Sequence, residues 1–261
     1  MNANRTLRIA WFSDADNTLW DTDGVFRAAQ LGLLDDVEAI VNAKCNVADR
    51  LAYVRKIDQG IANKHHRGLR YPVELLVNAI GHILRNGSND AAVAFGLTGR
   101  PILPPDESTN VVTRFHSALG LNPDLRPGVR QGLATLLDRG LPVTVVTEGH
   151  KDRIAHLLDH HALKAYVTDV VEATKTKELF LRLTRLYPTS QCWMIGDQVD
   201  RDIEIARLAG MNPVYFPGGF FPSWSQAVDT TVLQVDSYDQ GVQLALRREV
   251  NDGLNRVAQL R

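Results

Sequence analysis

The sequence predicts an α/β fold: a doubly wound parallel sheet interrupted by a second, all-helical domain. Three observations carry that expectation. A short apolar run near the N-terminus ends abruptly in acidic residues; residues 25–120 then read as helix without a convincing strand; and from residue 126 onward helices and strands alternate. The expected boundaries are 1–24 with 121–261 for the α/β core and 25–120 for the helical insertion. A length of 261 residues accommodates both.

The elements follow in order. Residues 7–13 (LRIAWFS) form a mostly apolar run that reads as a buried strand feeding a loop. In the insertion, Tyr53, Ile57 and Ile61 recur at i, i+4 and i+8, as do Leu76, Ile80 and Leu84, which is the spacing of one helix face. Breaks at His66-Arg67-Gly68, Asn86-Gly87-Ser88 and Pro101 to Pro105 divide it into four or five helices. After Arg126-Pro127-Gly128 the reading is a helix over 128–139 with Leu133, Leu136 and Leu137 inward, then the strand LPVTVVT ending at Thr147. A helix over 150–161, a strand near 165–171, a helix over 177–187 and the strand 191–196 (QCWMIG) come next. A helix over 201–209, strands at 213–216 and 232–235, and a last helix from Tyr238 complete the chain.

Composition excludes several classes. With 29 basic and 30 acidic residues the net charge is −1, so no single-sign field recruits nucleic acid or an anionic membrane. Hydrophobic residues at 44% and charged residues at 23% place the chain among folded globular proteins and away from disorder. Cys45 and Cys192 stand far apart with no CxxC, which argues against a disulfide framework or a structural zinc site and for reduced thiols in the cytoplasm. Arg5 and Arg8 precede an apolar stretch that Ser13 and Asp14 break too early for an export signal. No apolar run approaches the roughly 18 residues that cross a bilayer.

In open parallel sheets ligands bind beyond the carboxyl ends of the strands, so the polar residues placed there belong together. They are Asp14 and Asp16 in DADNT, Thr147 in TEG, Lys175 or Lys177 in TKTK, and Asp197 in GDQVDRD with Asp200 and Asp202 behind it. Taken singly, each has a plain explanation: an Asx turn, a helix cap, a surface lysine, or acids at a helix start. A calcium-binding EF-hand loop is excluded, because the sixth position from Asp14 is Leu19 and the twelfth is Val25.

In order and placement these segments resemble the haloacid dehalogenase superfamily of hydrolases. Its motifs run DxDxT, Ser/Thr, Lys, then Gly-Asp with a further acid. The resemblance implies a Rossmann-like core, Asp14 as nucleophile and Asp16 as general acid and base. Thr147 and Lys175 fall on the next two motifs, Asp197 and Asp202 on the last. The insertion over 25–120 looks like the family's helical cap. Here the lysine lacks the short proline-containing pattern that usually follows it, so Lys177 stays an alternative to Lys175, as Asp200 does to Asp202.

Elementary chemistry agrees. A phosphate monoester is dianionic, and a carboxylate can attack it only where cations neutralise the charge, which a lysine and Mg²⁺ accomplish together. Mg²⁺ favours oxygen ligands and retains waters, so Asp14, the main-chain carbonyl of Asp16, and Asp197 with Asp202 in support form a suitable set. A small phosphorylated molecule is the expected substrate and an aspartyl-phosphate the expected intermediate. The rivals are a dehalogenase, a phosphonate-cleaving enzyme or a phosphomutase on the same core, and a binding protein without activity. Halide leaves without a proton, so an acid two residues after the nucleophile favours phosphoryl transfer.

Three further groups are read as structural. Lys64, His65, His66, Arg67 and Arg70 form a basic cluster read as a solvated loop, with contact to an anionic substrate as the alternative. His150, after TEG, reads as a surface residue at a helix start, with a place lining the site at the nearby strand end as the alternative. Trp20, Tyr215, Phe216, Phe220, Phe221 and Trp224 read as packing residues, although PGGFFPSW follows a strand and is placed to border a pocket.

Overall fold

The structure, a computed structural model, describes residues 9–86, 89–188, 191–219 and 227–258. The expectations placed on Arg5, Leu7, Arg8, Gly87, Ser88, Phe220, Phe221 and Trp224 lie outside these residues. The chain divides into two compact units, Met1–Thr22 with Pro123–Arg261, and Asp23–Asn122.

Among its described residues the first unit holds six parallel strands in the order β3-β2-β1-β4-β5-β6: β1 Ile9–Ser13, β2 Val143–Thr147, β3 Asp169–Glu172, β4 Gln191–Gly196, β5 Asn212–Tyr215 and β6 Leu233–Gln234. The strand order reverses between β1 and β4, which makes that crevice the topological switch point where such sheets bind ligands. Successive residues of β1 alternate between two cores, as the pleat requires. Ile9 and Trp11 pack with Val129, Leu133, Ile154, Leu157 and Tyr238, whereas Ala10 and Phe12 pack with Phe180, Leu183, Met194, Ala206 and Met211. Burial on both faces is why β1, β2 and β4 read as nearly unbroken apolar runs.

In chain order α1 is Thr22–Val41, α2 Arg50–Ala62, α3 Glu74–Asn86, α4 Asn89–Leu97 and α5 Pro105–Leu119. They account for the expected helical stretch, and Ala29, Leu33, Ile57, Ile61, Leu76 and Ile80 lie in a core of the helical unit's own. One break, between α1 and α2, had no place in the sequence reading. Asn42 takes a left-handed φ of 51° after α1, and Asp49 caps α2 by accepting the Ala52 N–H at 2.8 Å. Glu38 fills the turn between them, bonding the Cys45 N–H at 2.9 Å and Lys44 Nζ at 2.8 Å.

Back in the α/β unit, α6 is Val129–Asp138, α7 Lys151–His160, α8 Lys177–Arg185, α9 Glu204–Leu208 and α10 Tyr238–Ala258. Three expectations need correction. Leu137 is 47% exposed, not inward. The buried face of α6 is formed by Val129, Gly132, Leu133 and Leu136, and at about 100° per residue Leu137 lies roughly a quarter turn from its centre. The strand near 165–171 begins only at Asp169, because Lys164–Tyr166 form a 3₁₀ turn from which Tyr166 and Val167 pack onto the core. The helix over 201–209 begins instead as a π turn, Val199–Ile203, that passes into α9. Both cysteines are free thiols, and no described helix is long and apolar enough to cross a membrane.

Candidate active site

Strand register brings the site together. Ser13 pairs with Val145 on one side and Ile195 on the other, so β1, β2 and β4 end within a residue or two of one another. The Asp14 N–H donates to the Ile195 carbonyl at 2.9 Å, which fixes the first residue beyond β1 against β4. Thr18, four residues on in DADNT, donates its hydroxyl to Asp14 Oδ2 at 3.1 Å.

Lys175 reaches these acids and Lys177 does not. Lys175 Nζ bonds Asp14 Oδ1 and, at 2.5 Å, Asp202 Oδ1, whereas Lys177 lies exposed as the first residue of α8. The lysine's own backbone is held as well: its N–H donates to Glu148 Oε1 at 3.0 Å, while Glu148 Oε2 takes Arg201 Nη1 at 2.7 Å. Asp202 is fully buried and Asp200 exposed. The π turn is the reason. Its wide backbone ring closes where the Gln198 carbonyl accepts the Ile203 N–H at 3.3 Å as well as the Asp202 N–H at 2.9 Å, and the Gln198 N–H donates to Asp202 Oδ2 at 3.0 Å, directing the carboxylate inward. Close approach here also requires Gly196, since a Cβ at that position would collide with the Asp202 carboxylate.

Asp197 completes the buried acids. It is 7% exposed, and its Oδ1 is buried without a hydrogen-bond partner. Asp14, Asp197 and Asp202 each offer an oxygen within 4.8 Å of the others. Three carboxylates against one ammonium is an unbalanced charge, and an orphaned acceptor among them is what a divalent cation with oxygen ligands would satisfy. The donor set therefore fits Mg²⁺. Asp16 is half-buried, its Oδ1 accepting Trp20 Nε1 at 3.1 Å and Thr22 Oγ1 at 2.7 Å. Thr147 is buried and its hydroxyl oxygen accepts the Gly149 N–H at 3.0 Å. A Cβ on Gly149 would stand 3.3 Å from both Asp16 Oδ2 and Thr147 Oγ1, so the two side chains flank this glycine.

The electrostatics match. Burial, reinforced by the Asp202 and Asp16 charges, pushes Asp14 up to about 7 against the pull of Lys175. Burial also drives Asp197 well above the carboxylate range, with Asp14 and Asp202 adding to it. For Lys175 burial works downward, but Asp14 and Asp202 outweigh it and the ammonium is held more firmly than in water. Carboxylates whose folded pKa exceeds the unfolded value make the metal-free protein most stable below about pH 4, and that stability is lost as pH rises toward 7. Asp197→Asn removes one such group. At pH 7 without divalent metal the variant should melt about 2 °C or more above the wild type, with the gap closing toward pH 4. Calorimetry over that range checks it; a variant less stable at pH 7 would contradict the charge imbalance.

Elsewhere the sequence candidates stand apart. His150 is exposed at the start of α7 with Nδ1 3.6 Å from Glu172. Lys64, His66, Arg67 and Arg70 are exposed in the turn between α2 and α3, as a solvated loop requires. Trp20, Tyr215 and Phe216 are buried, with Trp20 and Phe216 in one core cluster. Sequence reasoning missed Glu148, Arg126 and the Tyr215 hydroxyl, which is buried without a partner and feels the Asp197 charge. Glu148 alone had a signal, its position directly after Thr147.

This geometry agrees with comparison to known proteins. A family model described as haloacid dehalogenase-like hydrolase matches residues 10–210. The chain belongs to that family. None of the curated proteins matches it in sequence. Among solved structures, a haloacid dehalogenase-like family hydrolase from Xanthomonas campestris is 14% identical with a TM-score of 0.61, over 95% of this chain and 98% of that one. A putative HAD-hydrolase from Bacillus subtilis, bound to magnesium, is 19% identical with a TM-score of 0.54, over 92% and 99%. A predicted phosphoglycolate phosphatase from Haemophilus somnus is 15% identical with a TM-score of 0.54, over 93% and 100%. At these identities the likeness is one of fold.

Proposed function

We propose that this hydrolase is a Mg²⁺-dependent phosphatase acting on a small phosphorylated metabolite through an aspartyl-phosphate on Asp14. The observation that carries the reading is the buried Asp14–Lys175–Asp202 arrangement with Asp16 two residues from the nucleophile. Asp14, Asp197, the Asp16 carbonyl and, beside them, Asp202 would hold the metal, which supplies positive charge against the phosphoryl oxygens.

The chain's own residues divide the work. Lys175 favours the ionised form of Asp14, holds one of its oxygens, and adds a positive charge facing the substrate. Thr18 holds the other oxygen of Asp14 and thereby sets the orientation of the carboxylate. Thr147 offers a hydroxyl to a phosphoryl oxygen. As Asp14 attacks phosphorus and the ester P–O bond breaks, Asp16 delivers a proton to the leaving alkoxide; it then takes a proton from the water that hydrolyses the acyl phosphate. Trp20 and Thr22 both donate to Asp16 Oδ1, which leaves Oδ2 for the proton. A dehalogenase has no use for that proton, and this separates the two readings.

A panel of phosphorylated metabolites assayed with Mg²⁺ tests the proposal. Turnover should stop in excess chelator and return with Mg²⁺; turnover that persists without divalent metal, or release of halide from haloacids in place of phosphate, would refute it. Asp16→Asn should slow alkyl phosphates at least about tenfold more than activated aryl phosphates, whose leaving groups need less protonation. Equal losses would remove Asp16 from the acid role.

A further inference from the structure

The chain re-enters the α/β unit through Asp124, Leu125 and Arg126, and this segment is stitched along the loop that follows β1. The Asp21 N–H donates to the Asp124 carbonyl at 2.8 Å, Trp20 pairs with Leu125, and the Arg126 N–H donates to the Leu19 carbonyl at 3.0 Å. From that anchored backbone the Arg126 side chain runs to two distant loops. Nη1 donates to the Asn17 carbonyl and Nη2 to the Pro217 carbonyl, each at 2.7 Å, and the guanidinium carbon lies 4.0 Å from the centroid of the Phe216 ring.

Both loops carry parts of the site. Asn17 directly follows Asp16 and has a left-handed φ of 56°, a conformation that asparagine adopts more readily than other non-glycine residues and that turns the chain sharply behind Asp16. Gly218 directly follows Pro217, and a Cβ there would stand 2.6 Å from Asp197 Oδ2 and 3.1 Å from Asn17 Cβ. Asp16 is thus held from one side by Trp20 and Thr22 and from the other by a left-handed residue whose carbonyl Arg126 grips. The guanidinium is half-buried, and the Asp197 and Asp21 charges oppose the effect of that burial on its proton. Only an arginine has a planar fork that serves two divergent carbonyls and stacks on a ring together; a lysine offers a point charge.

We propose that Arg126 is a positioning residue of the active site, clamping the Asp16–Asn17 turn to the Phe216–Gly218 loop so that Asp16 meets the leaving group and the loop stays closed on Asp197. The proposal rests on the phosphatase reading for its kinetic consequence but not for the clamp itself, and the two are measured separately. For the clamp, amide hydrogen exchange over 16–21 and 216–219 should quicken at least about tenfold in Arg126→Met, while the strands of the sheet keep their protection. For the consequence, kcat should fall roughly 30-fold or more with KM within about threefold, since a small misplacement of a catalytic group is costly. Arg126→Lys should recover only part of the loss. In Arg126→Ala, guanidinium ion far below unfolding concentrations should restore kcat at least about fivefold, with no such gain in the wild type.

Unchanged exchange in both loops, or wild-type kcat in Arg126→Met, would overturn the proposal. So would a kcat loss that neither lysine nor guanidinium relieves. Should Arg126→Met fail to fold, Arg126→Lys decides by the same exchange and kcat measurements. A wild-type protein that turns over no phosphate ester would sink the phosphatase reading and leave the exchange result to judge the clamp.

Discussion

Asp14→Asn is expected to lower kcat by roughly a thousandfold or more while the protein keeps its fold. The amide cannot attack phosphorus at a useful rate, and it is a poorer partner for a divalent cation than a carboxylate. Stability should not fall with activity. Asp14 is pushed up to about 7 by burial and by the Asp202 and Asp16 charges, so the metal-free protein bears a cost for its charge at neutral pH that asparagine does not. Lys175 retains Asp202 as its carboxylate partner in the variant. The expected result is therefore an inactive protein that melts at or above the wild-type temperature without metal and gains less from added Mg²⁺. Turnover with an aryl phosphate and calorimetry at pH 7, with and without Mg²⁺, supply both readouts. Activity near that of the wild type would remove Asp14 from the nucleophile's role.

The same residues show how far a sequence can be read. Strands β1, β2 and β4 were legible because burial on both faces makes them nearly continuous apolar runs, and the polar residues at their ends were legible because register aligns the three. Between Lys175 and Lys177 the distinction depends on Thr176, which caps α8 by accepting the Leu179 N–H at 3.2 Å and so leaves Lys175 outside the helix and Lys177 on its first turn. A cap of that kind is a local signal. Asp202 over Asp200 depended on a π turn, which has no dependable sequence signature, and helical periodicity over 201–209 concealed it. Arg126 was out of reach for another reason. Its acceptors are backbone carbonyls of Asn17 and Pro217, and a carbonyl is present at every position whatever the residue.

Removing the helical unit is the second change with a large expected effect. The ends it joins lie side by side in the α/β unit: the Asp21 N–H bonds the Asp124 carbonyl at 2.8 Å and Trp20 pairs with Leu125, so a short glycine-rich linker between Thr22 and Pro123 spans the gap without strain. Among the described residues the α/β unit keeps three apolar clusters built from its own side chains, and the helical unit is packed about a fourth. Asp14, Asp16, Thr147, Lys175, Asp197 and Asp202 all belong to the unit that remains. Metal binding should accordingly survive, seen as a Mg²⁺-dependent rise in melting temperature like that of the full chain. Selection among substrates should not. A hydrolase that excludes water and reads its substrate with an inserted domain loses both when that domain is gone, and the spread of kcat/KM across a panel of small phosphate esters is expected to contract about a hundredfold. Measuring that spread for the full and shortened chains, with the Mg²⁺ response as the control for folding, decides the matter. An unchanged spread would assign substrate choice to the loops of the sheet and give the helical unit a different task.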